Sequence, residues 1–455
     1  MDSFSELKLS APLARAIQEL GYTAPTPIQA QALPILLGGP TDFIGQAATG
    51  TGKTAAFGIP LLELVDSAKK HPQALVLCPT RELALQVAGQ LDLLGKHLHL
   101  RALPIYGGAG YDEQFSGLKR GAPIVVGTPG RLIDHLERGS LQLAHVKTVV
   151  LDEADEMISM GFKEELESIL KGVPRETGRI WLFSATMSKE VRRVADTYLR
   201  KPQQVAVNRT EVLSSTVDQL YYLVRESDKP EVVCRIIEAA DDFYGLVFCQ
   251  TKALVMDLTQ YLNARGFKAD CLHGDKAQTE RERTMKAFRD KKVNLLVCTD
   301  VASRGLDVKE LTHVINYSIP KELELYVHRI GRTARSGKAG TAVSLVSPSN
   351  RWAVERVERM TKSRLREANP PTAQDAARKK VSKILARFEA QKTYGRVVEL
   401  LGPDWEEATA EMTLAELIGR FLLLLAPELD GREPDRAAVA HAPERKPHAK
   451  YSRGR

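Results

Sequence analysis

Nowhere does this sequence stay apolar for long. Its longest apolar run, Phe421 to Ala426, is far short of the roughly 20 residues that a membrane-spanning helix needs, which excludes an integral helical membrane protein. The opening residues Met1-Asp2-Ser3-Phe4-Ser5-Glu6 carry neither the basic nor the apolar stretch of a secretory signal, so a cytoplasmic location is expected. Cysteine is scarce as well. Cys78, Cys234, Cys249, Cys271 and Cys298 are odd in number, far apart and mostly set in apolar runs, a pattern of buried thiols rather than of disulfides or a zinc site. Strong charge is also missing from the body of the chain. Of the net charge of +7, four units come from residues 443–455, where Arg445, Lys446, Lys450, Arg453 and Arg455 stand against Glu444 alone. That balance is compatible with a polyanion partner without requiring one.

What is present is a long soluble-type chain of 455 residues, 43% hydrophobic and 27% charged, enough for two or three domains. From residue 42 to about 207, short β-rich runs alternate with helical patterns: Asp42 to Gly45, Ala74 to Cys78, Ile124 to Val126, Thr148 to Leu151 and Ile180 to Phe183. Alternation of this kind predicts an α/β fold, a parallel sheet with helices on both faces. Residues 208–216 are polar and lack periodicity, as a linker would be, and the pattern then restarts. Its second series is Gln219 to Val224, Gly245 to Cys249, Ala269 to Leu272, Asn294 to Cys298, Thr312 to Asn316 and Thr341 to Val346. Two α/β domains in tandem follow, expected at 1–207 and 217–369. Pro370-Pro371 closes the second, because the residue before a proline is pushed out of helical geometry. A helical segment is expected over 373–426, with Val381, Ile384, Leu385 and Phe388, then Leu414, Leu417, Ile418, Phe421 and Leu425, at helical spacing. Thr413 and Glu416 form a capping-box pair for its last helix. Residues 427–455, rich in Pro, Ala and charge, read as a disordered basic tail.

Two stretches carry chemistry. The apolar run Val149 to Leu151 ends in Asp152-Glu153-Ala154-Asp155, which sets carboxylates at the carboxyl end of a buried strand, where open α/β sheets bind ligands. Asp152 suits magnesium, which is held through one or two carboxylates plus phosphates, and Glu153 is placed to deprotonate an attacking water. Ala47-Ala48-Thr49-Gly50-Thr51-Gly52-Lys53-Thr54 follows another strand and opens a helix, as a P-loop does. Small residues let backbone N–H groups reach phosphate, Lys53 reaches the β and γ phosphates, and the Thr54 hydroxyl faces the metal. Ala47 stands where the general pattern has its first glycine.

Upstream, Gly21-Tyr22-Thr23-Ala24-Pro25-Thr26-Pro27-Ile28-Gln29 follows Phe4 by seventeen residues. With the P-loop and the Asp-Glu-Ala-Asp stretch, it resembles the DEAD-box RNA helicase family, and further motifs match in order from about residue 4 to 350. They are Pro79-Thr80-Arg81-Glu82-Leu83-Ala84, Gly107-Gly108, Thr128-Pro129-Gly130-Arg131, Ser184-Ala185-Thr186, Phe248 to Lys252, His273-Gly274-Asp275 with Gln278 and Arg281, Thr299 to Asp307, and Tyr326 to Arg335. Ser303 stands where alanine is commoner.

The resemblance implies two RecA-like domains that close around ATP, magnesium and single-stranded RNA. It implies that Gln29 reads the adenine edge, that Phe4, Tyr22 and Asp307 belong to the nucleotide site, and that Ala48 to Thr54 cradle the phosphates. Pro79, Thr80, Arg81, Gly108, Thr128, Pro129, Arg131, Thr251, Gly274, Thr299 and Gly305 are then RNA contacts. Ser184, Thr186 and His328 would couple the sites, and Arg332 and Arg335 would reach the γ phosphate when the domains close. The 373–426 segment is expected either to dock on the second domain or to pair with its copy in another chain; it faintly resembles the dimerisation region of bacterial cold-shock members, which favours the homodimer. The expected activity is local unwinding of short RNA duplexes with RNA-stimulated ATP hydrolysis. An ATP-gated RNA clamp or assembly scaffold with slow turnover is the alternative, as is a same-fold DNA translocase.

Overall fold

The short β-rich runs form strands, and the central ones are buried on both faces, as a sheet covered by helices on both sides requires. In the first half these strands are β1 (Phe43–Gln46), β2 (Ala74–Leu77), β3 (Ala102–Ile105), β4 (Ile124–Gly127), β5 (Thr148–Leu151), β6 (Arg179–Ser184) and β7 (Gln203–Ala206). They pair in parallel in the order β3-β4-β2-β5-β6-β1-β7. Alternate side chains enter two separate cores: Phe43, Val76, Val150, Trp181 and Phe183 on one face, Leu75, Leu77, Val149, Leu151 and Leu182 on the other.

The second half repeats the plan. Strands β8 (Val217–Leu223), β9 (Gly245–Phe248), β10 (Ala269–Leu272), β11 (Leu295–Cys298), β12 (His313–Asn316), β13 (Gly340–Val346) and β14 (Arg366–Glu367) pair in parallel in the order β10-β11-β9-β12-β13-β8-β14. This is the first order with every strand number raised by seven, so the chain carries the same seven-stranded architecture twice. The two RecA-like sheets expected from the sequence are thus present. Strands β3, β7 and β14 were not among the expected runs, and all three lie at sheet edges.

This computed structural model describes residues 2–426 and 429, except Thr49, Arg175, 208–216, 304–307, 309, 310 and 335–338. The expected linker, the basic tail apart from Leu429, and the candidate site residues Thr49, Gly305, Asp307 and Arg335 lie outside the described residues. Among the described residues no helix is long and apolar enough to cross a membrane. The five thiols are free, four of them buried and Cys271 partly so.

Beyond the second sheet, Thr372 and Asp375 form a capping box that starts the helix Ala373–Ala390. The amino-terminal part of this helix, as far as Lys383, packs on the helix Lys229–Ala239: Ala376 is buried, Lys383 Nζ donates to the Ala240 carbonyl (2.6 Å), and Lys379 pairs with Asp241. Leu385 and Phe388, in its second half, are exposed. Helices Gly395–Val398, Pro403–Thr409 and Leu414–Leu425 follow, the last started by the expected Thr413–Glu416 capping box. Their large apolar side chains stay largely in solvent, with Trp405 and Phe421 stacked on each other at 6.4 Å.

Candidate nucleotide site and nucleic-acid interface

Strand order decides which loops meet. Because β5, β6 and β1 are neighbours, the segments after their carboxyl ends, residues 152–156, 184–186 and 47, 48 and 50–54, lie side by side. The registers Gln46↔Ser184 and Leu151↔Leu182 keep those ends level. The Ala47 N–H donates to the Ser184 carbonyl (3.0 Å), and the Asp152 N–H to the Leu77 carbonyl (2.9 Å). Lys53 begins the helix Lys53–Leu64 behind Gly52, whose φ of 89° is a left-handed turn that favours glycine. A Cβ at Gly52 would stand 2.5 Å from Gln29 Nε2, so this glycine also makes room for Gln29. Gln29 is buried: its Nε2 donates to the Gly52 carbonyl (3.0 Å), and its Oε1 accepts from the Thr26 N–H (2.9 Å). It therefore caps its own helix and braces the P-loop together. Phe4 is buried against Tyr22 (6.1 Å between centroids), whose hydroxyl accepts from Gln90 Nε2 (2.8 Å). Thr51 Oγ1 closes the loop on the Ala48 carbonyl (2.7 Å).

The carboxylates occupy distinct environments. Glu153 is buried and caps the helix Ala154–Ser159 at φ 53°, a left-handed conformation that non-glycine residues seldom adopt and that clusters at functional sites. Burial pushes Asp152 up to about 7, against the pull of Lys53 and with a further push from Glu153. Asp152 Oδ1 and Lys53 Nζ are both buried without a hydrogen-bond partner. Such orphans are costly unless a ligand satisfies them, and a phosphate for the ammonium and a hard cation for the carboxylate are matching ligands. With Thr54 beside Lys53, the residues fit a magnesium nucleotide. No all-protein cage of three or more ligating side chains is found among the described residues, as magnesium held mainly by phosphate and water would require none.

Asp155 serves a different end. Its Oδ2 accepts from the Thr186 N–H (2.8 Å) and hydroxyl (2.7 Å), while Ser184 Oγ donates to the Thr186 carbonyl (2.6 Å). Burial works against its charge, but His328, Lys53 and these hydrogen bonds hold its carboxyl below the usual carboxylate range. His328 arrives from the other domain: Nδ1 lies 2.7 Å from Glu156 Oε1 and Nε2 3.7 Å from Asp155 Oδ2. Sequence reasoning missed Asp155 and Glu156 as the receivers of this contact. Arg332, on the same stretch as His328, is buried. Its neighbour Arg329 is committed within its own domain, gripping Asp300 through Nε (2.6 Å) and Nη2 (2.7 Å) and donating to Asn316 and Ser318.

The other side of the first sheet, β2-β4-β3, carries the loops expected to contact RNA. Thr80 caps the helix Arg81–Leu94 by accepting from the Leu83 N–H (3.2 Å), and Thr128 precedes the helix Pro129–Glu137. In the second domain Thr251 likewise caps the helix Lys252–Ala264 (3.3 Å from the Leu254 N–H). Helix N-termini with free N–H groups suit phosphate. Gly108 turns at φ 80° close to Arg81, and Arg81 lies over the Tyr106 ring at 4.6 Å. Its Nε and Nη1 are buried without a hydrogen-bond partner, while Nη2 pairs with Glu282 of the second domain. Arg131 covers the Tyr111 ring at 4.1 Å and donates to the Ala109 carbonyl (3.1 Å). Pro79, Pro129, Gly274 and Thr299 lie at the carboxyl ends of β2, β4, β10 and β11, on the matching side of each sheet. Gln278 Nε2 donates to Glu82 (3.3 Å), and Arg281 stands 3.8 Å from the same carboxylate. Nothing in the sequence singled out Glu282 or Tyr106 among ordinary helix and loop residues.

A P-loop between adjacent parallel strands, repeated sheets and a second domain reaching the first one's carboxylates define a tandem RecA-like nucleoside triphosphatase. Comparison with known proteins narrows the class: the DEAD/DEAH box helicase family profile matches residues 26–194, and that of the helicase conserved C-terminal domain matches residues 228–337. The chain is 46% identical over 376 residues to the DEAD-box ATP-dependent RNA helicase CshA of Bacillus cereus, covering 83% of this chain and 71% of that one. With the protein of that name from Geobacillus kaustophilus it shares 42% over 426 residues, covering 92% and 91%. Among solved structures it is similar to S. cerevisiae Dbp5 bound to RNA and ADP BeF3, with TM-score 0.75, 31% identity, and coverage of 84% of this chain and 99% of that one. The chain belongs to the DEAD-box ATP-dependent RNA helicases, and is an ATP-hydrolysing, RNA-binding enzyme.

Proposed function

We propose that the protein grips single-stranded RNA across both domains when ATP is bound, and thereby opens short duplexes locally. Lys53 and the Ala48 to Thr54 backbone hold the phosphates, Gln29 reads adenine, and Phe4 and Tyr22 support that edge. Asp152 and Thr54 would hold magnesium, which would supply positive charge against that developing on the phosphates. Glu153 takes the proton of the attacking water as its oxygen bonds to the γ phosphorus and the bridging bond to ADP breaks. Arg332 and Arg335 act from the second domain, where such arginines are worth about 10³–10⁵ in rate in P-loop enzymes. Thr80, Arg81, Gly108, Arg131, Thr251, Gly274, Thr299 and Gly305 hold the RNA backbone, which positions a strand without reading its sequence. Ser184, Thr186 and His328 carry closure from one site to the other.

One observation carries this reading: His328 of the second domain meets Glu156 at 2.7 Å beside Asp155, whose carboxylate also binds Thr186, so domain closure and the carboxylate cluster are in direct contact. A strand opened in this way yields little per event, since duplex steps are worth about 1.4 kcal/mol each. The test is an unwinding assay with matched short RNA and DNA duplexes and ATP. RNA unwinding with little DNA unwinding is expected; equal rates point to a DNA translocase, and RNA binding without unwinding to a clamp. A cytoplasmic setting and pairing of two copies through residues 373–426 complete the proposal.

A further inference from the structure

Two buried side chains outside the roles above join the RNA-facing loops of the first domain. Gln114, in the helix Asp112–Lys119, and His135, in the helix Pro129–Glu137, are 4% and 0% exposed. Gln114 Nε2 donates to the carbonyls of Tyr106 (3.2 Å) and Gly110 (3.3 Å), the two ends of the loop that carries Gly107 and Gly108. Both amide protons are used, which fixes the amide's orientation and turns Oε1 toward His135 Nε2, 3.1 Å away. An acceptor there requires the proton on Nε2, which leaves Nδ1 of the neutral ring as an acceptor beside the Ser140 hydroxyl at 2.8 Å; the one proton of that hydroxyl is shared between Nδ1 and the His135 carbonyl (3.0 Å). Burial lowers the pKa of this imidazole, Arg131 and Arg138 add to the effect, and Asp134 opposes it, which favours the neutral ring that the network needs. Arg131 lies one turn before His135 on the same helix and holds the Ala109 carbonyl of the same loop (3.1 Å). The rings of Tyr111 and Phe115 pack on His135 at 5.7 and 5.0 Å.

We propose that Gln114 and His135 are positioning residues that lock the Tyr106–Gly110 loop to the Pro129–Glu137 helix, so that two phosphate-contacting elements meet RNA as one preorganised unit. The inference rests on the RNA reading of these loops. A loop with glycine at 107, 108 and 110 would otherwise be ordered only when RNA arrives, and that cost would appear as weaker binding. Acting through the loop and Arg131, neither residue touches RNA.

The test is RNA-stimulated ATP hydrolysis by the full chain, titrated with a uniform single-stranded RNA. Gln114→Met, and Gln114→Glu, which keeps the volume and removes both donors, are expected to raise the RNA concentration for half-maximal stimulation about tenfold, with the KM for ATP moving less than about twofold. His135→Phe, which keeps the ring packing, should do the same, whereas His135→Gln supplies an N–H toward Gln114 Oε1 and should recover most of the loss. Arg131→Ala separates the inference from its foundation: if it leaves RNA dependence unchanged, these loops do not hold RNA and both fall. If Arg131→Ala weakens RNA and the Gln114 variants do not, the lock alone is overturned. A parallel rise in both KM values marks general loosening and overturns it too. Should Gln114→Met fail to fold, Gln114→Glu and the two His135 variants decide the same question.

Discussion

Lys53 and Glu153 are proposed to serve the same phosphate at different moments, so their substitutions should separate binding from turnover. Lys53→Ala removes the buried ammonium proposed to face the phosphates and is expected to abolish ATP binding in a nucleotide-binding titration. Glu153→Gln keeps size but cannot accept a proton; it should bind ATP normally and lose about 10²-fold or more in turnover, the usual worth of a general base. Near wild-type RNA-stimulated hydrolysis in Glu153→Gln would show that the base lies elsewhere. Gln29 is a subtler case, because its amide already spans Thr26 and Gly52 at 2.9 and 3.0 Å. Each amide atom retains one further hydrogen-bonding position, enough to pair with the N6 and N7 edge of adenine. ATP should therefore be hydrolysed in preference to GTP at subsaturating concentration, and Gln29→Ala should lose both that preference and P-loop support, raising the KM for ATP. An unchanged ATP-to-GTP ratio in the variant would remove Gln29 as the adenine reader.

At the scale of elements, the helix Gln278–Arg289 of the second domain faces the helix Arg81–Leu94 of the first through Glu282–Arg81 and Gln278–Glu82. Glu282 thus engages a guanidinium proposed for RNA phosphate. Glu282→Gln is expected to lower the RNA concentration for half-maximal ATPase stimulation by about two- to fivefold, the scale of a partly exposed ion pair, and more at low salt. Weaker RNA dependence in that variant would mean that the pair supports closure rather than competing with RNA. Such cross-domain partners were not legible from the chain, since pairing over a span like 81 to 282 leaves no periodic trace. What was legible follows burial. Central strands such as β5, with Val149 to Leu151 packed on both faces, announce themselves as apolar runs, and so did their carboxyl-end motifs. The strands that escaped notice are edges: β3 contains Pro104, which an edge tolerates because it needs only one side's hydrogen bonds, β7 exposes three of its four residues, and β14 is two residues long. The buried network of Gln114 and His135 escaped for another reason, since a polar residue in a helix reads as a solvated face until its partners are known.

For the whole molecule, the residues that remain after both domains are folded pose the last question. The helix Ala373–Ala390 packs on the second domain as far as Lys383, so Ala376 and the Lys379 and Lys383 contacts are accounted for there. Residues 385–425 are not: Leu385, Phe388, Leu400, Leu414, Leu424 and Leu425 are each more than half exposed, and Ile418 and Phe421 nearly so. The longest of the remaining helices, Leu414–Leu425, is apolar on more than one side, and Trp405 covers only one ring of it. Apolar surface left in that state gains roughly 1.5–3 kcal/mol for each large side chain that becomes fully buried. Four such residues per chain, Leu414, Ile418, Phe421 and Leu425, would thus offset a substantial part of the cost of association. A second copy can present the same face to it, which is the isologous arrangement of two-fold dimers. The docked part of Ala373–Ala390 would tie this face to the helix Lys229–Ala239 of each second domain. Sedimentation of the full chain against a chain ending at Pro370 decides the matter: a dimer at micromolar concentration that becomes a monomer on truncation is expected. A full-length monomer would refute the pairing, and a dimer that survives truncation would move the interface to the RecA-like domains. Replacing Ile418 and Phe421 together with Ser provides the finer test, because it should dissociate the dimer while the ATPase activity of each protomer at saturating RNA stays intact.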